Sequence, residues 1–92
     1  MVTVVAIDID ESLAVTMTEG ASKPCAYTIV YKGEEVTQYE TSADPRTIGG
    51  RIGLRNVICK RVPDYEKAAI DEALSEEIPK HTERLTEALG PQ

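Results

Sequence analysis

The chain has 92 residues, with 16 Asp and Glu against 10 Lys and Arg, a formal charge of −6, and neither Phe nor Trp. That length predicts one domain over residues 1–92 with a thin hydrophobic core. The acidity disfavours nucleic acid and anionic membrane as partners, and no stretch reaches the ~20 consecutive apolar residues that a spanning helix needs.

Val2 to Ile9 is β-branched and nearly continuous in apolar character, which predicts a central strand covered on both faces. Leu13, Val15 and Met17 alternate with Ala14, Thr16 and Thr18, the period of a half-buried second strand. The two should pair antiparallel through a turn looser than two residues, because Asp10-Glu11-Ser12 lacks the Gly or Asn of tight hairpins. Tyr27, Ile29 and Tyr31 mark a third strand, and Gly33-Glu34 supplies a Gly-X turn into a fourth at Val36 to Glu40. That fourth strand is polar enough to lie at a sheet edge or to face another chain. TSADPRTIGGRIG, residues 41–53, reads as a loop with an optional helical turn from Pro45 to Ile48, and RNVICKRV reads as a fifth strand.

From Asp64 the period becomes helical, with Asp64 placed to cap. Ile70, Ala73, Leu74, Ile78, His81, Leu85, Ala88 and Leu89 share one broad stripe, and Glu72, Glu76, Glu83 and Glu87 lie opposite. Pro79 should kink or split this segment, and Gly90-Pro91 should stop it. The expected fold is therefore α+β: an antiparallel sheet of about four to five strands packed by a C-terminal helical segment kinked or split at Pro79. Dimerisation is expected to complete it, since shared burial adds stabilisation that a chain poor in large apolar side chains lacks alone.

The first chemical candidate is the pair Asp8 and Asp10, which on a strand would point to one face roughly 7 Å apart and could hold Mg²⁺ or Mn²⁺ between them. VVAIDIDESL resembles the first motif of haloacid dehalogenase-like phosphatases, which implies a nucleophile at Asp8 and a general acid at Asp10. The usual following Gly-Thr is missing, as are a lysine segment and a paired-acid motif. Extended to AIDIDESLAVTMTEG, the stretch is similar to the opening hairpin of ribonuclease H-like nucleases and actin-like ATPases, which implies that Asp8 is a metal ligand. An Asp closing an ordinary strand is the plainer reading.

Charge is unevenly spread. Residues 1–44 carry eight acids and two bases, residues 45–63 five bases and no acid, and residues 64–92 eight acids and three bases. In the basic segment RTIGGRIGLR, Arg46, Arg51 and Arg55 with their glycines are candidates for anion binding, though no Gly-Lys-Ser/Thr makes a P-loop. The alternative is that these arginines pair with the chain's own acids. Glu72, Glu76, Glu83 and Glu87 form either a solvated face or a docking surface for a basic protein. His81 reads as a packed or interfacial residue. Cys25 and Cys59 have no metal-ligand spacing and read as small buried residues of a reduced protein, with a disulfide between them left open. MVTVVAIDID shows no basic leader before a long apolar core, so the expected compartment is the cytoplasm.

The order of strands then helix in a small acidic chain opened by MVTVVAIDIDES looks like that of a small acidic archaeal protein, an α+β homodimer with strands interdigitated between subunits. That resemblance implies an obligate dimer. The sequence thus points to a non-catalytic acidic homodimer that binds basic protein partners and needs no cofactor. The alternatives are a metal-dependent phosphoryl-transfer or nuclease-like enzyme at Asp8 and Asp10, and an anion-binding module at Arg46–Arg55.

Overall fold

The computed structural model describes residues 3–91. Four strands form an antiparallel meander in the order β1 (Val5–Asp8), β2 (Leu13–Glu19), β3 (Cys25–Tyr31) and β4 (Glu34–Thr41). The alternation read in the sequence fixes which face is buried: Val5 and Ile7, then Leu13, Val15 and Met17, then Cys25, Tyr27 and Ile29 all point to one side. Three helices cover that side: α1 (Ile48–Arg61), α2 (Lys67–Lys80) and α3 (Thr82–Leu89). Leu54, Ile58, Val62, Ile70, Leu74, Ile78 and Leu85 complete the core from above. The opposite face of the sheet, with Ala6, Ala14, Thr16, Thr18, Ala26, Thr28 and Val30, has no layer over it among the described residues.

Three expectations are corrected. β1 is an edge strand with one exposed face, because the residues alternating with Val5 and Ile7 are Val4, Ala6 and Asp8, and all three are exposed. The turn from β3 to β4 falls one residue early, at Lys32-Gly33, whose φ values of 52° and 82° are those of a two-residue turn with both central residues left-handed. The largest difference is α1, which occupies the predicted loop and fifth strand. Gly49, Gly50 and Gly53 disfavour a helix locally, yet Leu54 and Ile58 at i,i+4 spacing bury one side of it, and Thr47 caps it by accepting from Gly50 N–H at 3.0 Å. A Cβ on Gly50 would collide with the backbone carbonyl of Asp44, so glycine there lets the capping turn fold tightly against the helix.

The C-terminal stripe is as expected in its core members: Ile70, Leu74, Ile78 and Leu85 are buried, and Ala88 and Leu89 half-buried. Pro79 lies in the last turn of α2, and the boundary with α3 falls at His81, whose N–H donates to the Ile78 carbonyl. Gly90, at φ 84°, ends α3 with its N–H on the Thr86 carbonyl.

Candidate functional site

The two aspartates do not share a strand face. Asp8 ends β1 on the exposed side, whereas Asp10 lies beyond the strand, where its Oδ1 accepts from the N–H groups of Ser12 (2.7 Å) and Leu13 (2.9 Å). Its Oδ2 accepts from the Tyr65 hydroxyl at 2.6 Å. The Tyr65 bond and the two backbone bonds hold the Asp10 carboxyl below the usual carboxylate range. Burial first, then the bond to Asp10, pushes the Tyr65 phenol up to about 12. Tyr31 packs edge-on against Tyr65 and donates to Asp64 at 2.9 Å, so the cluster ties the β1–β2 turn and the end of β3 to the α1–α2 link. Among the described residues no group of three His, Cys, Asp or Glu side chains is placed to hold a metal ion.

The arginines also separate. Arg46 precedes α1 and grips Asp44, Nε to Oδ1 at 3.0 Å and Nη2 to Oδ2 at 2.6 Å, with its side chain only 7% exposed and a further bond to Thr86. Its guanidinium holds the Asp44 carboxyl low. Arg55 pairs with Asp71 on α2 at 2.8 Å. Arg51 lines a hollow of about 320 Å³ with Ile48, Ile52, Arg55, Asp71 and Ser75. Backbone N–H groups that a glycine loop would offer to an anion are mostly turned into the helix instead. Glu72, Glu76, Glu83 and Glu87 are all exposed on α2 and α3. His81, half-buried between those helices, has Nε2 3.9 Å from Glu77. Cys25 and Cys59 are both free thiols.

Sequence reasoning missed two features. The outward side of α1's first two turns presents Ile48 at 70% and Ile52 at 40% exposure beside Gly49 and Gly53, and a Cβ on either glycine would meet open space. The I-G-x-x-I-G spacing in TIGGRIG was the available signal. The second feature lies between β4 and α1, where a groove of about 220 Å³ is lined by Tyr39, Thr41, Ala43, Gly50, Gly53, Leu54 and Val57. Beneath it Tyr27 and Tyr39 stack at 5.1 Å, and their hydroxyls are buried without a hydrogen-bond partner among the described residues. Burial raises both phenols, and the Cys25 thiol beside them, above their ordinary values. No helix is long and apolar enough to cross a membrane among the described residues. No family model, curated protein or solved structure matches the chain.

Proposed function

We propose that the chain is a non-catalytic interaction domain that assembles as a homodimer through the outer side of α1. The observation that carries this reading is the row Ile48, Gly49, Ile52 and Gly53. A solvent-facing helix side is normally polar or charged, and this one is apolar over two turns in a chain that is 28% charged. Gly49 and Gly53 each lower helix stability by about 1 kcal/mol relative to alanine. Unlike Gly50, neither is required by a neighbour within the chain. Small residues one turn apart allow a second backbone to approach closely, and the adjoining isoleucines form a ridge suited to the groove above the glycines of a twofold-related copy. Such pairing uses the same patch twice, as a twofold interface requires.

The test is the solution mass. The wild-type chain should sediment at twice its 10.1 kDa mass, and Ile52→Glu should return it to one. A wild type that stays monomeric at high micromolar concentration removes the proposal.

A further inference from the structure

The two edges of the sheet are finished differently. On β1's side, Arg84 of α3 donates to the Val4 carbonyl at 2.8 Å and α2 packs against the strand, so the helical layer covers part of that edge. β4 is twice as long, at 8 residues against 4, and makes no backbone hydrogen bond beyond its ladder with β3 among the described residues. The usual protections of an edge are charged side chains, a proline or a bulge. β4 has Glu34, Glu35 and a bulge at Val36 in its first half, opposite Ile29 and Val30, whereas Thr37 to Thr41 stay in regular register without Pro or Lys.

A hollow lies on each side of this strand. On the inner side is the groove of about 220 Å³ with Tyr39, Thr41, Gly53 and Val57. On the outer side is a depression of about 530 Å³ with Thr18, Ala26, Thr28, Gln38 and Glu40. A strand added beside β4 would send alternate side chains into the inner groove and out beside the open face of the sheet at Gln38, because successive residues of a strand point to opposite faces. Charge selects the occupant. β4 carries Glu34, Glu35 and Glu40 and no base, so antiparallel pairing of two β4 strands would set glutamate near glutamate. The chain's own basic segment is folded into α1 and cannot supply the strand.

We infer that β4 is a docking strand for a basic extended peptide of alternating pattern, with small apolar side chains entering the groove under α1 and Lys or Arg lying over the outer face beside Gln38 and Glu40. The inference does not depend on assembly through α1.

The probe is a capped synthetic peptide of alternating lysine and valine, titrated into the isotopically labelled chain while amide exchange is followed. Protection should appear at β4 amides and not on α2 or α3. N-methylation of every second peptide bond, which blocks strand pairing but keeps charge and side chains, should abolish it. Gln38→Lys should weaken binding about tenfold by placing like charge at the site. The Ile52→Glu chain should bind as the wild type does, so a failed dimer leaves this test intact. Absence of binding at low salt overturns the inference. So does binding that survives N-methylation or maps to Glu72–Glu87, which would be ion exchange with an acidic protein and nothing more.

Discussion

The carboxylate of Asp10 accepts from Ser12 N–H, Leu13 N–H and the Tyr65 hydroxyl, and these bonds make its charge part of the fold. Asp10 is lowered and Tyr65 raised, so the signs follow separately. A depressed acid contributes stability that is present above its unfolded value of 3.8 and lost as pH falls through the folded one. A raised phenol contributes stability that is present below 10.0 and lost as pH rises toward about 12. The contact therefore operates from mildly acidic to mildly alkaline pH. It is exposed, so its worth is that of an ordinary hydrogen bond, about 1 kcal/mol. Tyr65→Phe should cost that much at pH 7 in urea unfolding, and the difference from wild type should shrink in acid below about pH 4. An unchanged difference at acid pH would mean that Asp10 is not the partner that matters. The D-x-D spacing was legible in the sequence, but its geometry was not. Whether two aspartates share a face depends on where the strand ends, and β1 stops at Asp8.

At the scale of the element, α1 shows where local propensity and tertiary packing disagree. Three glycines in seven residues argue for a loop, and Val57-Ile58 argues for a strand. Leu54 and Ile58 in the core, with the Thr47 cap, decide for a helix. By contrast, the strands were legible because a period-two pattern over one buried face admits one register, and the C-terminal helical stripe was legible because its apolar positions recur over more than five turns. The glycines of α1 should respond to alanine in opposite ways. Gly50→Ala meets the Asp44 backbone and should destabilise by roughly 1–3 kcal/mol. Gly49→Ala meets nothing within the chain and should stabilise by about 1 kcal/mol. Both are to be measured by urea unfolding in the monomeric Ile52→Glu background, where assembly does not contribute. Destabilisation by Gly49→Ala there would show a structural need for that glycine within the single chain and weaken its assignment to an interface.

For the whole molecule, the sign of salt dependence separates two kinds of association. Two copies meeting at α1 bring together helices that carry Arg51, Arg55, Lys60 and Arg61 without an acid, and each chain has a formal charge of −6. Arg55 is neutralised by Asp71, but Arg51 has no such ion pair among the described residues. Contact at Ile48, Gly49 and Ile52 is apolar, so its attraction is nearly insensitive to salt while the repulsion around it is screened over about 10 Å at 0.1 M. Dimerisation should therefore strengthen as salt rises from 20 to about 300 mM. The wild-type melting temperature should also rise with protein concentration, which it should not do in Ile52→Glu. Capture of a basic strand at β4 joins opposite charges and should weaken over the same range. Sedimentation across that salt series, with and without the lysine–valine peptide, reads both slopes. A dimer that dissociates as salt is added would place its interface on complementary charges, such as Glu72–Glu87 against α1, and the apolar row would then not be what holds the copies together.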